Sequence, residues 1–292
     1  MDRLAGHREG LRRPYGLAQD ADRLYWTERE HGGAIRSCRK DGTGLRTLTT
    51  GVARYAFFCA VDDVHVYWTE FDTGRVRRIP KAGGPVEDWE TGQASPGQLD
   101  LADGTVWWVE YGGGRIRKRK TTAAGSKIVL RDLEAPQAIR VDRGAVWWTE
   151  AGDPGTLKRR ATGGGPVATV ATVLPECWLV PADRWMFWTE TKGSLRRPGR
   201  NGRGKPETFD AIPAGGAYAA AGGGWIWWAE EFGGRLRRIP VVGGPADTML
   251  TGLRHPGVLV ADDRAVYWTD PEADTVCRFV SPPPAAGIPS RR

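Results

Sequence analysis

The sequence predicts an all-β fold, a seven-bladed β-propeller of four-stranded antiparallel blades, from three features. Tryptophan recurs at Trp26, Trp68, Trp108, Trp148, Trp188, Trp228 and Trp268, the first interval being 42 residues and each later one 40. Each of these residues sits in one short phrase, read in order as YWTE, YWTE, WWVE, WWTE, FWTE, WWAE and YWTD. Between the phrases lie short runs of aromatic and β-branched residues broken by Asp, Gly and Pro, which read as strands and leave no room for helices. Short strands repeated at such a period describe blades set around an axis. Seven units account for nearly all of the 292 residues, so no second domain fits.

Each unit opens on an apolar run led by Pro or Gly, as in RPYGLAQD, SPGQLDLAD and HPGVLVADD, which supplies the innermost strand. A turn leads to the aromatic phrase, the second strand. The third strand is basic (AIRSCRK, RVRRIPK, RIRKRK, TLKRR, SLRRPGR, RLRRIP, TVCRF), and in most units Gly-Gly or a Gly-containing turn precedes a polar fourth strand. The last unit stops early: after Thr275 to Phe279 the chain runs into SPPPAAGIPSRR, whose prolines lack the N–H that a ladder needs. At the other end, EGLRRPYGLA aligns with TGLRHPGVLV, which places residues 1–9 where an outer strand stands elsewhere. The N-terminus is therefore expected to complete the last blade, turning two free edges into a paired ladder. The expected layout is one propeller over residues 1–280 and a proline-rich tail over 281–292.

The net charge of +7 raises the question of nucleic acid, but about half of the Lys and Arg residues belong to the third strands. Charge spread evenly around a ring makes a solvated edge, not a nucleic-acid footprint. The start, MDRLAGHREG, is charged and lacks an apolar core, and no run is long enough to cross a bilayer, so a cytoplasmic monomer without membrane contact is expected. The four cysteines, Cys38, Cys59, Cys177 and Cys277, form no Cys-x-x-Cys pair and read as buried apolar residues, although closure brings Cys38 and Cys277 to neighbouring blades.

The phrase YWTE or YWTD, followed about eight residues on by an aliphatic residue and Arg-Arg, then Gly-Gly, resembles the YWTD repeat of low-density-lipoprotein-receptor type propellers and their bacterial relatives. The resemblance covers almost the whole chain. It departs from that family in having Glu for Asp in six units and seven phrases where the receptor propellers have six blades. It implies that the carboxylate ties blades together through hydrogen bonds and pairing with the basic third strand (Arg36, Arg77, Arg117, Lys158, Arg196, Arg237, Arg278). Glu28, Glu70, Glu110, Glu150, Glu190, Glu230 and Asp270 therefore read as scaffold, because function needs asymmetry.

Asymmetry is found elsewhere. Eight residues before each repeat Trp stand Ala18, Ala60, Asp100, Arg140, Val180, Ala220 and Val260, two of them charged on the innermost strand. Asp100 and Arg140 form either a structural ion pair in the channel or an anchor for a polar ligand. Ten residues before the Trp, Gln98, Trp178 and Tyr218 replace small residues, and Tyr15 and Phe57 stand one position earlier, forming an aromatic wall suited to a small molecule or peptide. Glu176 replaces the lead-in proline of its blade. On the same face, closure is expected to bring His255 and His31 towards Glu272 and Asp274, an acid–base group or a site for a divalent cation such as Mg or Ca. The chain also resembles, more distantly, the seven-bladed streptogramin lyases, and this implies a His-based lyase or hydrolase acting on a natural product or cyclic peptide as the alternative to simple binding. His7 and His65 are assigned to an outer strand and to the opposite face.

Overall fold

The computed structural model describes residues 1–29, 32–174, 177–190, 194–198, 205–211 and 217–281. Among these residues the strands form seven sheets, each of four antiparallel strands. Blade one comprises Pro14–Gln19, Arg23–Glu28, Ala34–Arg39 and Arg46–Thr50, and the pattern recurs through blade six, which ends at Leu250. The first strand of every blade touches the first strands of both neighbours, so these strands ring the central channel.

Local chemistry sets the hairpins. Both residues of the Asp103-Gly104 turn (φ 48 and 63) and of the Arg143-Gly144 turn (φ 48 and 70) are left-handed, the geometry that continues the twist of the flanking strands. In blades one, two and seven an Asp makes the turn instead: the carboxylates of Asp20, Asp62 and Asp262 accept backbone N–H groups two and three residues on. Because strands alternate in direction, these turns lie on one face, and the loops that follow the second and fourth strands lie on the other, here termed upper.

Blade seven takes its outer strand from the N-terminus. Asp2–Ala5 pairs with Thr275–Val280, placing Asp2 opposite Arg278 and Arg3 opposite Cys277. The closing strand is shorter than the expected 1–9 span: Gly6 N–H donates to the Glu9 carboxylate, and His7–Glu9 form a 3-10 turn, so His7 lies outside the outer strand. All four cysteines are free, and burial pushes the Cys38 and Cys277 thiols up to about 11. No helix is long and apolar enough to cross a membrane among the described residues. The tail from residue 282 lies outside the described residues.

The seven repeat tryptophans are completely buried, each between its own blade and the preceding one. Trp148, for instance, packs on Trp107, Val109 and Ile116 of blade three. Four indoles donate to the carboxylate two residues on, as Trp148 does to Glu150 at 2.8 Å and Trp68 to Glu70 at 3.0 Å, with Trp26 and Trp188 alike. Trp108 turns to Gln93 instead, at 3.2 Å. Six of the carboxylates meet the expected cation, from 3.0 Å for Lys158 and Glu150 to 3.6 Å for Arg117 and Glu110. The seventh differs. Arg278 is drawn to Asp2 on the closing strand at 2.7 Å, while the shorter Asp270 accepts the backbone N–H groups of His255 and Ala273.

Two outcomes follow from this packing. Trp148→Ala removes a completely buried indole and its hydrogen bond, and equilibrium unfolding is expected to register a loss of about 3–5 kcal/mol; a loss under about 1 kcal/mol contradicts the inter-blade role. Deleting residues 1–9 strips blade seven of its outer strand, so the melting temperature is expected to drop and the exposed edge to promote aggregation. An unchanged melting temperature means that the ring does not depend on that strand.

Candidate functional site

The repeat places small residues at the upper end of several inner strands, such as Gly16, Ala138 and Val258, but large rings at others. Tyr15 of blade one, Phe57 and Phe58 leading into blade two, Trp178 of blade five and Tyr218 of blade six crowd one side of the channel mouth. Gly97, Gln98 and Ala138 leave space on the other. The result is a cavity of about 710 Å³ lined by these residues, by Phe71, Tyr111, Gln137, Cys177, Glu231 and Phe232, and by a few neighbours.

The rings are in mutual contact. Centroid separations are 5.6 Å for Tyr15 and Phe57, 6.0 Å for Phe58 and Trp178, 5.2 Å for Trp178 and Tyr218, and 6.1 Å for Phe71 and Tyr111. Such edge and tilted contacts stiffen a wall at little entropic cost. The hydroxyls of Tyr15 and Tyr218 share a hydrogen bond of 2.7 Å. Burial pushes Tyr218 well above its ordinary value, with Tyr15 and Glu231 adding to the effect, so it remains a neutral phenol.

Five of the residues singled out from the sequence, Tyr15, Phe57, Gln98, Trp178 and Tyr218, line this cavity. Gln98 also has a structural task, since its carboxamide oxygen accepts the Ile139 N–H at 2.8 Å and so links two inner strands. Of the two readings of Asp100 and Arg140, the structural ion pair is not made as a direct contact. The Asp100 carboxylate accepts the Val141 N–H at 2.6 Å, whereas Arg140 donates to its neighbour's carbonyl, Ile139 O, and lies 5.2 Å from the Trp178 ring centroid. Asp100 is thus held by the backbone of the next blade, one residue past Arg140, whose charge still acts on it. Glu176 and His31 lie outside the described residues.

His255 is oriented differently from the expectation. Its Nδ1 stands 3.3 Å from Glu231 Oε1 of blade six, and its ring meets Phe232 edge-on at 5.4 Å. Glu272 and Asp274 are occupied elsewhere, because Arg13, in a left-handed conformation (φ 43), gives its guanidinium to Glu272 at 2.8 Å and its backbone N–H to Asp274 at 2.7 Å. Among the described residues no group of three or more His, Cys, Asp or Glu is arranged to hold a metal ion.

Arg29 and Phe71, members of a further asymmetric column, escaped the sequence reading. Immediately after the repeat carboxylate stand Arg29, Phe71, Tyr111, Ala151, Thr191, Glu231 and Pro271. Phe71, Tyr111 and Glu231 line the cavity, and Arg29 lies against two of its rings. The signal was a break in the repeat, one residue beyond the phrase that defines it.

Fold and cavity together define a seven-bladed propeller whose repeated framework carries one aromatic, asymmetric pocket on its upper face. No family model matches the chain. The vitellogenin receptor Yl of Drosophila melanogaster is 32% identical over 73 residues, 24% of this chain and 4% of the receptor. The chain thus spans only a small part of that relative's length. Among solved structures, streptogramin B lyase matches 93% of this chain and 94% of its own, with 15% identity and a TM-score of 0.76. Catalytically inactive virginiamycin B lyase from Staphylococcus aureus with quinupristin matches 92% of this chain and 94% of its own, with 16% identity and a TM-score of 0.75. At these identities the likeness is one of fold.

The electrostatics of the channel yield a pH-dependent outcome. Burial raises the Asp100 carboxyl above the ordinary carboxylate range, against the opposing charge of Arg140 and the Val141 N–H. A carboxyl raised in the folded state contributes stability below the unfolded value and loses it as pH rises through the folded one. Asp100→Asn, which keeps an acceptor for Val141, is therefore expected to raise the melting temperature at pH 7, with the gain vanishing below about pH 4. A lower melting temperature at pH 7 would show that the charge itself stabilises the channel.

Proposed function

We propose that this propeller binds a small molecule or peptide with an aromatic or apolar body in its upper-face cavity. The observation that carries the reading is the departure from sevenfold repetition: rings collect around one pocket of about 710 Å³, within the size range of small-molecule sites. Trp178 is central to it, touching Phe58, Tyr218 and Arg140.

A lyase or hydrolase acting on a natural product or cyclic peptide at the same pocket is the second reading. It is supported by the His255–Glu231 contact at the margin, where a carboxylate next to imidazole fits a general base. The fold likeness to streptogramin B and virginiamycin B lyases supports it as well.

Quinupristin and a panel of aryl-bearing cyclic peptides, titrated by calorimetry and followed by mass spectrometry for turnover, separate the two. Trp178→Ala is expected to weaken binding by about 2 kcal/mol or more, as truncation of a packed aromatic anchor does. Arg140→Ala is expected to cost about 1 kcal/mol through the lost support of that ring. His255→Ala with intact affinity and abolished turnover identifies an enzyme; turnover surviving that change removes His255 from the chemistry. Unaltered binding in Trp178→Ala places the ligand site elsewhere.

A further inference from the structure

Arg29 stands at the margin of the cavity. Its guanidinium carbon lies 4.5 Å from the ring centroid of Tyr15 and 4.5 Å from that of Phe57. The two centroids are themselves 5.6 Å apart, so the cation sits over the seam between the rings and is not sandwiched by them. Both rings line the cavity.

In six blades one basic residue of the third strand is committed to the repeat carboxylate, as Arg36 is to Glu28 at 3.1 Å and Arg77 to Glu70 at 3.3 Å. Arg29 is placed otherwise. Among the described residues no carboxylate is in hydrogen-bond or ion-pair contact with it, and the groups acting most strongly on its charge besides burial include Tyr15, Arg13, Tyr218 and Tyr55. Burial lowers the guanidinium from its ordinary value. A part-buried cation resting on ring faces has exchanged water for π contacts, and its planar N–H donors fit a carboxylate in bidentate fashion.

We propose that the cavity selects anionic ligands, with Arg29 binding a carboxylate carried on an aryl or apolar body that packs against Tyr15, Phe57 and Trp178. The proposal rests on the upper cavity being the ligand site. It also sets an orientation: Glu231, which lines the same cavity, repels an anion, so the carboxylate points to the blade-one side and the body crosses towards Trp178.

Calorimetric titration of the full chain with naphthoate and with naphthamide, isosteric probes that differ in one charge, tests this. Naphthoate is expected to bind about tenfold more tightly, as one charge-assisted contact provides. Arg29→Gln is expected to erase that preference while leaving naphthamide affinity unchanged, and Arg29→Lys to retain part of it. Equal affinity of the two probes for the unmodified chain, with binding lost in Trp178→Ala, overturns the role of Arg29 and leaves the cavity standing. A preference that survives Arg29→Gln overturns it too. Binding of neither probe, or binding that Trp178→Ala does not alter, overturns the cavity reading and the proposal together.

Discussion

The buried carboxylate that closes each repeat phrase is the constraint on which the rest of the structure depends. In blade four, Glu150 accepts the Trp148 indole N–H, pairs with Lys158 on the next strand and accepts the Glu134 N–H from the loop entering the blade. In blade three, Glu110 likewise takes the Ala94 N–H and meets Arg117. One acceptor with several lone pairs thus fixes the inter-blade indole, the third strand and the incoming loop at once. A carboxylate so buried is costly without these partners, as the raised Glu28 carboxyl indicates, burial there outweighing Arg36 and the Trp26 N–H.

Because that unit holds the loops at a common height, the residues just before and just after it become the rim of the upper face. Their identity is free to vary, since the scaffold requires nothing of them. Tyr15, Phe57, Trp178 and Tyr218 on the leading side, and Phe71, Tyr111 and Glu231 on the trailing side, use this freedom to build one pocket, with Arg29 against two of its rings. Rigid repetition and local chemistry thus alternate along the chain within each unit.

Closure shows the same economy. The last carboxylate is an Asp that takes the backbone N–H groups of His255 and Ala273, and Arg278 pairs instead with Asp2 of the closing strand. On the lower face Lys40 reaches Asp262 at 2.9 Å, so blades seven and one are joined by side chains as well as by the ladder. The point at which the ring is covalently open is thereby tied from two directions.

The sequence by itself determined the period, the number of blades, the strand order and the columns in which repetition fails. These follow from spacing, and spacing is a property of the covalent chain. Asp100 and Arg140, Trp178 and Tyr218 were legible as exceptions for that reason. Which exceptions meet was decided only by tertiary structure. His255 faces Glu231 and not Glu272, and Asp100 holds a backbone N–H and not Arg140. Arg29 stands in a column where repetition also fails, one residue beyond the phrase, but its contact with the Tyr15 and Phe57 rings exists only once the blades are in place. Contacts between loops of different blades depend on blade rotation, on the exit angle of each loop and on competitors such as Arg13. No residue spacing encodes those, and the ring must close before any of them exists.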